Sequence, residues 1–334
     1  MKVARAGWQR PSAVALVRPW RAVLSSGQKT TRQIVLVHGG GALCEQERYQ
    51  SLCHQALEAG LRRDWPKKIQ ERFAETEMVM PWYGDLLEPV FDPIDPELDW
   101  LDRKSALTDL KARANTKAFR RTNYERLPGK SALPEFLADV AAPSLRAIGL
   151  GQRAVEAALP ELRAYWHDNG GFRTLVSQRI NQSIRDALDK ADSVALIAHG
   201  TGAVLAYDVI WSLSKEMPDK KLSLFLTLGT PLANNTVRSK LMGSKNPLET
   251  RYPGNLFQWH NVAAEDDFLC HDKTVADDFA PFLESRKISK ISDHLIYNLA
   301  VRYGRSAPGY SAGYLIHPRV AEQLAHWLTS DIDS

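Results

Sequence analysis

Short apolar runs alternate along the chain with segments of helical spacing. Four of the runs have the length and composition of buried strands in a parallel sheet, and they cover residues 34–37, 193–197, 224–228 and 259–262. A further strand is predicted at residues 77–83. The pattern therefore predicts several buried strands separated by helices.

Two helices are predicted from apolar residues that recur every three or four positions. One covers residues 173–190, with Leu175, Val176, Ile180, Ile184 and Leu188 on one side. The other covers residues 318–328, where Val320, Leu324 and Leu328 should face the sheet. Both are interpreted as core packing and carry no separate functional signal.

A long insertion, residues 86 to about 168, separates two of the predicted strands. Prolines near its start predict a loop, namely Pro89, Pro93 and Pro96. Helical spacing follows at residues 100–119, 133–148 and 153–165. Because ligands of open α/β folds bind outside the carboxyl ends of the strands, we expect this insertion to form a lid there.

A tight turn joins the strand at 193–197 to the helical segment that begins at Gly202. Its sequence, A-H-G-T-G, has the frame of a nucleophile elbow, which lifts its central residue to the top of the sheet. The central residue is Gly200, so the attacking hydroxyl is missing. Glycine adopts the strained backbone of such a turn with little penalty, whereas other residues lose about 1–3 kcal/mol.

The chain from residue 33 to 328 resembles the α/β-hydrolase superfamily, in particular its bacterial lipase- or esterase-like members. The resemblance rests on the elbow, on H-G-G-G at residues 38–41, on L-G-T-P-L at residues 228–232 and on P-G-Y-S-A-G-Y-L at residues 308–315. It implies one α/β-hydrolase domain: a mostly parallel sheet with helices on both faces and a lid-like helical insertion. Residues 1–32 would be a basic arm, and residues 329–334 a tail.

The resemblance also implies roles for individual residues. His38, Gly39, Gly40 and Gly41 match the oxyanion loop, and His199 and Thr201 flank the nucleophile position. Asp267 matches the acid of the triad, whereas the position of the catalytic histidine falls on Gly309. Two of three triad positions are thus glycine, which can neither attack a carbonyl nor accept a proton.

Other side chains are candidates to replace the missing groups. Thr201 lies one residue past the apex, so we expect its side chain to point elsewhere while its backbone N–H faces an oxyanion. His294 is the best remaining candidate for the base. The alternative interpretation is that His294 is a polar loop residue packed near Tyr297. His199 is interpreted as a buried histidine with satisfied hydrogen bonds, and His38 as a brace for the oxyanion loop.

The sequence gives little support for a metal site or a cofactor site. Residues 270–272 read C-H-D and lie close to Asp266 and Asp267, but no H-E-x-x-H or paired C-x-x-C spacing accompanies them. We therefore expect a solvated acidic loop and no metal. The glycines at residues 39–41 lack the spacing of a dinucleotide fingerprint, so no cofactor is expected.

Charge and cysteine content bear on location and partners. The chain has three cysteines without a disulfide framework, and it has no apolar run of about 18 residues. Both features favour a cytoplasmic location. No acidic residue precedes Glu45, so organellar targeting by residues 1–32 is the alternative. Residues 111–130 contain seven basic residues and one acidic residue, Glu125, and this charge suits binding to an anionic or membrane surface. Nucleic-acid binding is not expected. The sequence does not indicate an oligomeric state.

Three functional hypotheses follow. The first is a hydrolase-like protein with a degenerate triad that binds a small acyl or ester-like ligand or acts in regulation, without turnover. The second is an active esterase or lipase that uses substitute residues. The third is a scaffold that associates with a membrane or a partner through the basic arm and the lid.

Overall fold

The computed structural model describes residues 30–41, 44–91, 95–112, 119, 151–265, 267, 272–298 and 311–330. Several predicted features lie outside these residues: Gly309, Asp266, Cys270 and His271, most of the arm and of the basic run at 111–130, the helix at 133–148, and residues 331–334. The description below concerns the chain from Thr31 onward.

The described strands form one parallel sheet with the order β2-β1-β3-β4-β5-β6. Their bounds are β1 Arg32–Val37, β2 Glu77–Val79, β3 Ser193–His199, β4 Leu224–Leu228, β5 Gln258–Ala264 and β6 Lys290–Ile296. The predicted α/β-hydrolase type of fold is confirmed by this parallel sheet and the helices around it. β2 is shorter than predicted, because the chain leaves the sheet before Tyr83, whose ring stacks on His38 at 3.9 Å.

Helices connect the strands and cover the sheet. Within the described residues they are α1 Gln46–Asp64, α2 Lys67–Ala74, α3 Pro96–Ala112, α4 Gly151–Ala158, α5 Pro160–His167, α6 Phe172–Lys190, α7 Gly202–Glu216, α8 Asn235–Lys240, α9 Leu248–Arg251, α10 Ala280–Glu284, α11 Ser311–Leu315 and α12 Pro318–Thr329. None of the helices in the described ranges is long and apolar enough to cross a membrane.

Two hydrophobic clusters lie on opposite faces of the sheet. Successive side chains of a strand point to opposite faces, so Val35 and Leu196 pack with α6 and α7, whereas Ile34 and Ile197 pack with α1 and α12. Every residue of β3 is buried. The central strands are therefore covered on both sides, as their continuous apolar runs predict.

The insertion differs from its predicted outline in two places. Pro96 does not belong to a loop: it opens α3, because proline at a first helical position costs no hydrogen bond. The segment predicted as one helix at 153–165 is two helices, since Pro160 cannot continue α4 and instead begins α5. α5 ends at His167 and is followed by Asp168, which has a φ of 48°, and the positive-φ Gly171 precedes α6.

The start of α7 lies unusually close to the loop after β1. A Cβ atom on Gly202 would collide with the carbonyl oxygen of His38 and would lie 3.2 Å from the Tyr83 hydroxyl. Only glycine permits this approach. One backbone contact thereby explains why α7 begins with glycine.

We therefore expect Gly202→Ala to destabilise the protein by about 1–3 kcal/mol, because backbone atoms must shift to make room. The matched control is Gly254→Ala, since a Cβ there meets open space, and it should change stability by less than about 1 kcal/mol. Urea-induced unfolding measures both. Equal midpoints for the two variants would contradict the contact.

Candidate functional site

The strand order places the loops after β1 and β3 side by side. In the sheet order, β1 has β2 on one side and β3 on the other, so the chain direction across the sheet reverses at β1. In open parallel sheets, the crevice at such a switch point is where ligands bind, outside the carboxyl ends of the strands. We call the space between residues 38–41 and residues 199–201 the crevice.

Gly200 occupies the apex of the turn between β3 and α7. Its φ is +57°, and its N–H donates to the carbonyl oxygen of Leu228 at 2.8 Å. A Cβ on Gly200 would make only ordinary van der Waals contact, 3.7 Å from the Cα of Gly39. The geometry of an elbow is therefore present with space for a side chain, but without a reacting group.

His38 braces the loop after β1. Its Nε2 accepts from the Tyr83 N–H at 3.3 Å, so Nδ1 is the nitrogen that donates to the carbonyl oxygen of Gly39, at 3.0 Å. Burial lowers the pKa of His38 to about 4, which keeps the ring neutral. His38 therefore has a structural role, because its ring is neutral and both of its nitrogens are hydrogen-bonded.

A buried ion pair from the insertion supports the same loop. Arg103 of α3 binds both carboxylate oxygens of Asp99 at 2.9 Å and donates to the carbonyl oxygen of Gly41. Asp99 also accepts from the N–H of Cys44 at 3.3 Å. The loop after β1 is thus fixed by α3 as well as by the sheet.

The side chain of Thr201 lies in the crevice, contrary to the expectation that it points elsewhere. Its Oγ1 accepts from the Gly40 N–H at 3.0 Å and donates to Oε2 of Glu161. The residue is buried, with 6% of its surface exposed. Thr201 therefore links the elbow to the loop after β1 through its hydroxyl, because the two turns are close enough for one hydrogen bond.

Glu161 of α5 inserts its carboxyl group into the crevice. It is fully buried, and a Cβ on Gly40 would collide with its Oε2. Burial raises its pKa to about 7, and the hydrogen bond from Thr201, together with the nearby Tyr83 hydroxyl and Gly40 N–H, opposes that rise. Among the described residues its Oε1 has no hydrogen-bond partner.

Asp267 follows β5 and is not part of a solvated loop, because it is 2% exposed. Its Oδ2 accepts from the hydroxyl of Tyr314 at 2.7 Å, and that hydroxyl accepts from the N–H of Ala264 at 3.2 Å. The Tyr314 ring lies 5.6 Å from that of His199. A tyrosine of α11 thus lies between the acid position and the elbow.

His199 is buried but is not satisfied by the described residues, which differs from the expectation. Neither of its ring nitrogens has a hydrogen-bond partner among them. Burial is the main cause that lowers its pKa to about 3, so the imidazole is neutral. Its Nδ1 lies 2.9 Å from the position of a Cβ on Gly39, which places the ring at the edge of the crevice.

His294 lies away from the crevice. It belongs to β6 and not to a loop, and its Nε2 lies 2.9 Å from Nδ1 of His260 with the two rings parallel. β6 is three strands from β3 in the sheet, which corresponds to about 14 Å. The structure does not bring His294 together with Gly200. Burial lowers its pKa.

A cavity lies outside the crevice, between α5, α6 and α7. Its volume is about 620 Å³, and polar side chains line much of it, including Arg173, Gln178, Asn181 and Asp208. It touches neither the elbow nor the loop after β1. Among the described residues no three histidine, cysteine or acidic side chains are grouped as metal ligands would be.

Three residues of the site were missed in the sequence: Tyr83, Glu161 and Tyr314. Glu161 had a signal, because a helix places positions 161, 162 and 165 on one side, and Leu162 and Tyr165 are buried there. An acidic residue on an apolar helix face indicates a buried carboxyl group. Tyr314 stands inside the motif at residues 308–315, but nothing in that motif marks it as a partner of Asp267.

The raised pKa of Glu161 predicts a pH-dependent stability. Because the folded state holds the proton up to about pH 7, and the unfolded state releases it near pH 4.5, stability falls as pH rises from 5 to 8. Relative to Glu161→Gln, the wild type should lose up to about 3 kcal/mol across this range. Urea titrations at each pH measure the difference. Glu88→Gln, which removes an exposed carboxyl, is the control and should show no such trend; parallel curves for both variants would contradict the assignment.

The comparisons with known proteins are sparse. No protein-family model matches the chain, and no curated protein matches it. Two solved structures, a double and a single mutant of an esterase called rPPE, are similar over 91% of this chain and 75% of theirs. Sequence identity is 11% and 10%, respectively, with a TM-score of 0.29 in both cases, so the likeness is too weak to bear on function.

Proposed function

We propose that this chain is a non-catalytic, α/β-hydrolase-like protein that binds a small acyl or ester-like ligand in the crevice. The observation that carries the proposal is Gly200: an elbow apex with a φ of +57° and no side chain. Acyl transfer of the serine-hydrolase type needs a hydroxyl at this point. The chain keeps the turn and lacks the nucleophile.

The acid position supports the same conclusion. In a working triad the acid orients a histidine that takes the proton of the nucleophile. Here Asp267 accepts its hydrogen bond from Tyr314, whose hydroxyl is a poor base at neutral pH. A site without nucleophile and base retains at most about 10³–10⁴-fold acceleration over water. Such a rate is far below that of an acyl-transfer enzyme.

Buried polar atoms at the crevice support ligand binding. Both ring nitrogens of His199 and Oε1 of Glu161 are buried without a hydrogen-bond partner among the described residues. An unsatisfied buried polar atom costs about 1–3 kcal/mol. A ligand with polar atoms in the crevice would recover part of that cost.

One observation favours a second candidate, an active hydrolase. Thr201 donates its hydroxyl hydrogen to Glu161, and a carboxyl with a pKa of about 7 is a suitable general base. Against this, the Gly40 N–H that would stabilise an oxyanion is bonded to the Thr201 oxygen itself. One donor for the intermediate is therefore occupied by the would-be nucleophile itself, and the non-catalytic function is better supported.

Labelling with a fluorophosphonate probe separates the two candidates. We expect the wild type and Thr201→Val to be equally unlabelled, and to hydrolyse short acyl esters no faster than buffer, because neither has an activated nucleophile. Gel fluorescence and ester hydrolysis are the measurements. Labelling of the wild type that disappears in Thr201→Val would establish Thr201 as a nucleophile and overturn the proposal.

Restoring the triad positions gives a complementary prediction. Gly200→Ser should fold with a loss of about 1–3 kcal/mol from backbone strain and should remain inactive, because position 309 lacks the histidine that would take the proton of the serine. Adding Gly309→His should produce ester hydrolysis, with the two single variants as matched controls. Activity of Gly200→Ser alone, measured on short acyl esters, would show that a base already serves the elbow and would contradict the proposed loss.

A further inference from the structure

The carboxyl group in the crevice comes from outside the sheet. Residues of the two sheet loops supply the donors in a chain: the Gly40 N–H donates to the Thr201 oxygen, and the Thr201 hydroxyl donates to the carboxyl, against which Tyr83 also lies. The acceptor, Glu161, comes from the second residue of α5 in the insertion. The donors would be present in the same place without α5, because β1, β3 and α7 position them.

The chemistry of these donors selects a neutral or weakly charged carboxyl. Glu161 accepts a hydrogen bond from the Thr201 hydroxyl. The Tyr83 phenol and the Gly40 N–H lie beside its carboxyl, and no cation is among these groups. A buried carboxylate without a cation is costly, so the protonated acid is favoured. The same surroundings would favour a carboxylic acid over an inorganic anion such as phosphate.

Glu161 leaves some of the buried polar atoms at the crevice without hydrogen bonds. Its Oε1 and both nitrogens of His199 lack hydrogen-bond partners among the described residues, and all three atoms are buried. The backbone of α5 restricts where a glutamate can place its carboxyl. A free acid is not restricted in this way and can use donors and acceptors that Glu161 leaves unused.

We propose that Glu161 is an internal competitor that fills a binding site for the carboxyl group of an aliphatic monocarboxylic acid, and that the ligand displaces it. The inference rests on the proposed function, because it assigns the ligand class and the regulation of that same crevice. Phe91 and Tyr83 flank the carboxyl, with Cζ of Phe91 3.0 Å from the position of a Cβ on Gly40. These aromatic walls suit an apolar chain behind the acid group.

The test uses hexanoate as the probe, with hexanamide and methyl hexanoate as neutral analogues of the same length. Isothermal titration at pH 6 compares the wild type, Glu161→Ala and Glu161→Gln. Glu161→Ala vacates the site, so it should bind hexanoate at least about tenfold more tightly than the wild type. Glu161→Gln has the same shape and still fills the site, so its affinity should stay close to that of the wild type.

Two controls make the readout specific. Arg163→Ala alters an exposed residue of the same helix and should leave hexanoate affinity within about twofold of the wild type. Thr201→Val in the Glu161→Ala background removes a donor and should abolish the gain. Affinity of Glu161→Ala for hexanoate should also fall as pH rises from 5 to 7, because the bound acid takes up a proton.

Each of the other outcomes would contradict either the inference or the proposed function. Equal gains in Glu161→Ala and Glu161→Gln would show charge repulsion instead of occupation and would overturn the inference. Binding of methyl hexanoate that is unaffected by position 161 would leave the proposed function standing and overturn the inference alone. Turnover of methyl hexanoate by the wild type would overturn the proposed function. Absence of hexanoate binding to folded Glu161→Ala would refute the assigned ligand class.

Discussion

The close approach of Gly202 to the carbonyl of His38 is the constraint on which the site depends. It brings the first turn of α7 against the loop after β1, and a Cβ at that point would separate them. Because the two turns touch, Thr201 reaches the Gly40 N–H at 3.0 Å. The crevice, its hydrogen bonds and the position of Gly200 all follow from this backbone contact.

The polar residues around the crevice are hydrogen-bonded to one another. In a working triad, those hydrogen bonds would go to the catalytic groups instead. Asp267 accepts from Tyr314, Thr201 accepts from the Gly40 N–H, and Glu161 accepts from the Thr201 hydroxyl. No cation contacts the Glu161 carboxyl. The described side chains thus hydrogen-bond to one another across the crevice, and a ligand of the proposed kind would have to compete with these bonds.

The strands, the elbow and the closing helix α12 could be predicted from the sequence, because hydrophobic periodicity and glycine spacing are local signals. The contacts of Glu161 and His199 could not. Whether a buried polar atom finds a partner depends on which segments of the insertion pack over the sheet, and periodicity carries no information about that. His294 shows the same limit, since its pairing with His260 depends on the register between β5 and β6.

The boundaries of α5 give the insertion a mechanical property. Pro160 interrupts the helical backbone immediately before Glu161, and Asp168 and Gly171 turn the chain with positive φ after the helix. These breaks on both sides bound the eight residues of α5 as a short helix separate from α4 and α6. The proposed displacement of Glu161 would therefore require a change in the orientation of this one helix and not of the whole insertion.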